Sequence, residues 1–207
     1  EIIAREGHQA AHVVGVSLGT LIAQDVAARF PDAVASLTVV GGYPIAGDTR
    51  ALQRAQSKEM LKWLGLVLVS MPRFRRYVAN TSAIDPQARG VFLSSAQLFT
   101  RRSFRAMAGL DSIMRPAEQP IRHPLQIIVG QHELPILRAA TAAWHGRESG
   151  SEYHIIANAG HCANMDNPAE FNARLDAFLA RHSAARPARR PELVNRPVTH
   201  KNAALRS

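Results

Sequence analysis

The sequence predicts an α/β fold: a mostly parallel sheet flanked by helices, carrying a helical insertion. Three observations predict it. Short apolar, β-branched runs alternate with segments of helical spacing. Those runs are apolar throughout rather than alternating, as strands covered on both faces are. Between the second and third runs lie some seventy residues in which only helical patterns occur.

The elements follow in order. Residues 1–10 are short and polar, the end of a helix. His12-Val13-Val14-Gly15-Val16 reads as a buried strand. Leu18, Ile22, Val26 and Phe30 are four apart, the stripe of a helix that Pro31-Asp32 ends. Val34 to Val40 is a second strand, broken by Gly41-Gly42-Tyr43-Pro44. Helical patterns then run over Arg50 to Leu68, Arg73 to Val78, Ala88 to Phe99 and Arg102 to Leu110, punctuated by Pro72, Pro86 and Pro116. Leu125 to Val129 returns to a strand, Pro135 to Trp144 to a helix with Pro in its first turn, and Glu152 to Ala157 to a fourth strand. Asn167-Pro168-Ala169-Glu170 opens the last helix, whose stripe is Phe171, Leu175, Phe178 and Leu179. From Ser183 onward Arg, Pro and Ala recur without period, the pattern of a disordered tail.

Composition narrows the classes. Of 207 residues, 46% are hydrophobic and 20% charged, so collagen, coiled coil and wholesale disorder are excluded. The longest apolar run, Trp63 to Met71, is half of a membrane span. One cysteine, Cys162, excludes an internal disulfide framework and a four-cysteine zinc site. The net charge of +9 is unevenly placed. Residues 50–122 hold 13 basic and 4 acidic residues, and residues 183–207 hold 6 and 1, while the other two segments are mildly acidic. Arg101-Arg102 and Arg73-Phe74-Arg75-Arg76-Tyr77 are the densest spots, with no nucleic-acid motif around them. Solvated helix faces explain such charge, and an anionic substrate is a further possibility.

In parallel sheets, function gathers at the carboxyl ends of strands. There, Gly15-Val16-Ser17-Leu18-Gly19 is G-x-S-x-G between a strand and a helix. A serine on that turn has an unfavourable backbone, and the chain on either side passes close, which calls for Gly15 and Gly19. The turn lifts the hydroxyl above the sheet at a helix N-terminus, where the Leu18 N–H points at developing negative charge. A serine needs a base. Among nine histidines, His161 in Ala159-Gly160-His161-Cys162 follows the last strand directly. The carboxylate candidates are Glu133, just past the third strand and 28 residues before His161, and Asp48, past the second. Asp166 is expected only to help start the closing helix, and Cys162 to be a small packed residue. His8, His12, His132, His145 and His154 form no metal-ligand constellation.

The stretch HVVGVSLGTLIAQDVAARFPDAVASLTVVGGYP resembles the elbow region of the α/β-hydrolase superfamily, in particular its single-domain esterase and lactonase-like members. AGHCANMDNPAEFN is similar to that family's histidine loop and following helix. Thr20 stands where many relatives have a third glycine. The resemblance covers about residues 10–182. It implies a hydrolase core over 1–48 and 123–182 and a helical lid over 49–122, and the composition leaves residues 183–207 as a basic disordered tail. It implies a serine hydrolase of esters, thioesters or lactones, with Ser17 as nucleophile, His161 as base, Glu133 as acid and Leu18 as oxyanion donor. It puts the acid where Glu133 stands, without eliminating Asp48. Carbon–carbon hydrolysis and acyl transfer use the same constellation. Leu61, Trp63, Leu64, Leu66, Phe92, Leu93, Leu98, Phe99, Phe104, Met107 and Leu110 are lid residues that either line a pocket or pack the lid. The family has further strands before the elbow strand, one of whose loops gives the second oxyanion N–H. The expectation is therefore a fragment or truncated product, with the elbow strand at an open edge and an inactive, binding protein as the alternative. No cofactor, metal, membrane span or nucleic acid is expected, only a small ester-like substrate, with a cytoplasmic setting as the default.

Overall fold

The computed structural model describes residues 1–46, 50–108 and 121–183. Among these residues four parallel strands form one sheet in the order of the chain: β1 (Ala11–Val16), β2 (Val34–Val40), β3 (Leu125–Gly130) and β4 (Glu152–Ile156). Parallel pairing needs a crossover between neighbours. The crossovers are α2 (Leu18–Arg29), the helical insertion, and α7 (Pro135–Arg147). A single turn, α1 (Ile2–Arg5), precedes β1, and α8 (Ala163–Asp166) and α9 (Pro168–Ser183) follow β4.

The register aligns the strand ends. Val16 lies beside Val40, Val40 beside Ile128, and Gly130 beside Ile156. Each chain segment leaving its strand therefore emerges along one edge, and the sequence-selected residues follow at that edge.

Both faces of the sheet are covered, and successive side chains divide between them. On one face Leu37, Val39, Leu125 and Ile127 pack with Ala23 and Ala27 of α2 and Trp144 of α7. On the other, Val40, Ile128 and Ile156 pack with Ala159, Ala163 and Phe171. Leu37, Ile127 and Ile128 are fully buried, each contributing roughly 1.5–3 kcal/mol relative to exposure. The elbow strand, expected at an open edge, is the edge strand β1 among the described residues. It pairs only with β2 among the described residues, and Val14 is 43% exposed.

The insertion comprises α3 (Arg50–Val69), α4 (Met71–Ser82), α5 (Pro86–Ala96) and α6 (Arg101–Ala108). Pro72 and Pro86 lie within first turns and do not separate helices, because a first-turn N–H has no intrahelical partner to lose. Ser70 and Asp85 cap these starts by accepting from Arg73 N–H and Ala88 N–H. The helices form a core of their own. Phe74 packs edge-on against Trp63 and Phe104, at 5.8 and 5.9 Å between ring centres, and against Phe99 at 5.7 Å. Leu66 joins this cluster, while Leu61, Leu64 and Leu98 are exposed. Part of the basic charge fastens the insertion. Arg101 donates to the carbonyls of Val67 and Leu68 at the end of α3, and Arg75 to that of Phe99. Leu110 and Pro116, and the tail beyond Ser183, lie outside the described residues. Among the described residues no helix is long and apolar enough to cross a membrane.

Candidate active site

Ser17 stands between β1 and α2 with φ 53° and ψ −120°. A side chain at positive φ is costly, of order 1–3 kcal/mol, and persists only where the surroundings fix it. Here they do. Ser17 N–H donates to the Val40 carbonyl at 2.8 Å, extending the β1–β2 ladder by one bond, and its own carbonyl accepts from Thr20 N–H.

The two glycines of the elbow are unequal, which corrects the symmetric expectation. A Cβ on Gly15 would lie 2.4 Å from the Gly19 carbonyl oxygen and 2.8 Å from Thr20 N, both backbone atoms. A Cβ on Gly19 would meet nothing within 4 Å. The close approach is therefore made by the space missing at position 15, onto a backbone that any residue at 19 would present.

Thr20, the departure from the family pattern, has a function in the turn. Fully buried, it donates to the Gly15 carbonyl at 3.1 Å and sits where a Cβ on Gly42 would otherwise be, 2.3 Å from its methyl. Gly42 thus makes room for Thr20. Gln24, one turn further along α2, is also buried. It donates to the Tyr43 carbonyl at 2.8 Å and accepts from Ile45 N–H at 2.9 Å, pinning the segment after β2.

His161 meets the serine from the loop after β4. Its Nε2 lies 2.7 Å from Ser17 Oγ and its Nδ1 lies 2.7 Å from Glu133 Oε2. A carboxylate only accepts, so Nδ1 carries the hydrogen and Nε2 accepts from the serine hydroxyl. Glu133 is nearly enclosed, its side chain 2% exposed against 22% for that of His161. Its second oxygen accepts from Leu134 N–H at 2.9 Å. The sequence-selected serine, histidine and glutamate are thus in one chain of hydrogen bonds. Leu18 supplies the first N–H of α2, which has no intrahelical acceptor. Asp48 lies outside the described residues.

The loop reaches the serine because two strand ends lack side chains. A Cβ on Gly130 would lie 2.0 Å from the Gly160 carbonyl oxygen, and one on Gly41, at φ 58°, 2.6 Å from that of His161. The loop is also bonded to the end of β3, through His132 N–H to the Ala159 carbonyl and Asn158 N–H to Gln131 Oε1. Asn167 caps α9 as expected, accepting from Glu170 N–H. Glu170, in the first turn, accepts from Ala157 N–H. Asp166 does not cap α9, contrary to expectation. Its carboxylate accepts from the backbone of Ile84, Asp85 and Gly160.

Cys162 is buried, and its thiol is pushed up to about 11 by burial, with the carboxylates of Asp166 and Glu133 adding to it. It stays protonated beside the histidine and is no rival nucleophile. His12, His145 and His154 pair elsewhere, with Ser36, Ser151 and Glu152. Among the described residues no three His, Cys, Asp or Glu side chains cluster as metal ligands.

A hydroxyl on a strained strand-to-helix turn thus meets an imidazole that is hydrogen-bonded to a nearly enclosed carboxylate. The model of the alpha/beta hydrolase family matches residues 1–174, and the chain belongs to that family. The chain is 28% identical over 189 residues to the dihydrolipoyllysine-residue acetyltransferase component of the acetoin cleaving system of Pseudomonas putida, covering 83% of this chain and 46% of that protein. It is also 28% identical, over 183 residues, to the 2-succinyl-6-hydroxy-2,4-cyclohexadiene-1-carboxylate synthase of Enterobacter sp. strain 638, covering 81% of this chain and 66% of that one. The chain thus spans about half the length of the first relative. In fold it is similar to a thermophilic esterase from Thermogutta terrifontis, with a TM-score of 0.70 and 16% identity over 87% of this chain and 69% of the esterase.

Proposed function

We propose that this hydrolase acts on carboxylic esters, thioesters or lactones through an acyl-enzyme, with Ser17, His161 and Glu133 as its triad. The observation that carries the reading is the imidazole of His161, 2.7 Å from both the Ser17 hydroxyl and the Glu133 carboxylate.

Ser17 Oγ attacks the substrate carbonyl carbon while its proton passes to His161 Nε2. Glu133 holds the ring in the tautomer that accepts that proton and stabilises the imidazolium. The carbonyl oxygen gains negative charge, which the Leu18 N–H at the start of α2 stabilises. His161 returns the proton to the departing alkoxide or thiolate oxygen or sulfur, leaving Ser17 acylated. Water then attacks the acyl carbon, giving its proton to the same nitrogen, which passes it to Ser17 Oγ as the acid departs. The insertion serves as the lid, with Trp63 and Phe74 packing its own core.

Ser17→Ala tests the reading. Hydrolysis of p-nitrophenyl acetate is expected to fall on the order of 10⁴-fold or more, whereas undiminished turnover by a folded variant would reject the assignment.

A further inference from the structure

Both neighbours of His161 along the chain are tied to the insertion, Cys162 directly and Gly160 through the carboxylate of Asp166. Cys162 N–H donates to the Ser82 carbonyl at 2.7 Å, at the end of α4. Gly160 N–H donates to Asp166 Oδ2 at 2.8 Å. The other oxygen, Oδ1, accepts from Ile84 N–H at 3.0 Å and Asp85 N–H at 2.9 Å, in the connection between α4 and α5. One carboxylate therefore spans two structural units: the residue before the base, and the insertion, more than eighty positions earlier in the chain. The fit is close at this point, since a Cβ on Gly160 would lie 3.0 Å from the Ile84 methyl and 3.3 Å from Asp166 Oδ2.

We propose that Asp166 is a positioning residue for His161, fastening the backbone of Gly160 to the α4–α5 connection so that the imidazole is aimed by the insertion as well as by Glu133. The inference rests on the reading of His161 as the base. Three N–H donors on one carboxylate make a strong, directional junction, because bonds to a charged acceptor are shorter and roughly twice as strong as neutral ones. Neither substitute at this position restores it. An asparagine offers one oxygen, so either Gly160 or the Ile84–Asp85 pair faces an amide NH₂ that cannot accept. An alanine leaves all three donors without this acceptor. The base then keeps Glu133 and the bond from Cys162 N–H to Ser82, but the backbone of Gly160 loses its fastening to the insertion. A displacement of about 1 Å at a reacting group costs on the order of 10²-fold in rate.

The test is a double-mutant cycle on the full chain, with p-nitrophenyl acetate hydrolysis and inactivation by a fluorophosphonate as readouts. Asp166→Asn is expected to lower kcat and the inactivation rate constant about 10- to 100-fold. KM is expected to change little, and the number of titratable serines per chain to stay the same. In a His161→Ala background the same substitution should add no more than about twofold, because its effect passes through the histidine. Three results would overturn the role: an unchanged rate, fewer titratable sites that each react at the wild-type rate, or an equal further loss in the His161→Ala background. If Asp166→Asn does not fold, Ile84→Pro removes one donor and keeps Asp166; a smaller loss with the same dependence on His161 is expected, and no loss counts against the role. Should His161→Ala alone leave turnover unchanged, the assignment of the base fails, and the role of Asp166 with it, a result distinct from failure of the cycle.

Discussion

His161 Nε2 lies 2.7 Å from Ser17 Oγ, though 144 positions separate them in the chain. Nothing local brings them together. The parallel register aligns the ends of β1, β2 and β3, and β4 delivers its loop to the same edge. Glycines 41 and 130 then let that loop close over the strand ends.

Ser17 and His161 should act as one unit. His161→Ala is expected to lower ester turnover on the order of 10⁴-fold or more, and the double variant Ser17→Ala/His161→Ala to be no worse than either alone. Steady-state kinetics of the three variants checks this, and additive losses would contradict it.

Glu133 should matter through its charge. Glu133→Gln fits the same enclosed space but cannot stabilise an imidazolium, and its amide can turn an NH₂ group toward Nδ1, favouring the wrong tautomer. A loss on the order of 10⁴-fold in kcat is expected at neutral pH. Glu133→Asp, one methylene shorter, should lose less, since the charge remains. The order of the two variants in kcat is the measurement.

The elbow glycines should respond oppositely to alanine. Gly15→Ala drives a Cβ into the backbone of Gly19 and is expected to cost about 1–3 kcal/mol. Gly19→Ala enters open space within α2 and should stabilise by roughly 0.5–1 kcal/mol, as alanine does in a helix. Urea denaturation of both variants distinguishes this from a symmetric requirement.

Which parts of this site could be read from the residues depended on how local their signal was. Ser17, Glu133 and His161 each sit at a strand end within a few residues of a recognisable turn, so chain order and element type pointed to them. Gly41, Gly42 and Gly130 are equally necessary, but the groups they make room for come from elsewhere in the chain: His161, Thr20 and Gly160. Asp166 looked like a helix-starting residue because its spacing from α9 allows that, and its partners at 84 and 85 are invisible along the sequence. Gly19 was assigned a steric need by symmetry with Gly15, which the one-sided geometry does not support. The insertion's helices are legible as helices, and the start of α3 at Arg50 with them, while the starts of α4 and α5 are misread because Pro72 and Pro86 serve as first-turn residues. Asp48 and the tail from residue 184 fall outside the described residues.

Cys162 should resist alkylation in the folded protein. Burial disfavours its thiolate and raises the folded value to about 11 from 9.0. A group raised on folding stabilises the fold below its unfolded value, and that contribution is lost as pH rises from about 9 toward 11. Iodoacetamide labelling at pH 8 is expected to be slow in buffer and fast in urea, and stability to decline above pH 9. Equal labelling rates in the two conditions would contradict the burial of the thiol.

The most direct measurement is covalent labelling of the folded protein with a fluorophosphonate, with the adduct located by peptide mass spectrometry. The account predicts one adduct, on Ser17, formed rapidly in the wild type and lost in His161→Ala. Ester turnover by a folded sample that carries its adduct on another residue, or none at all, would contradict it.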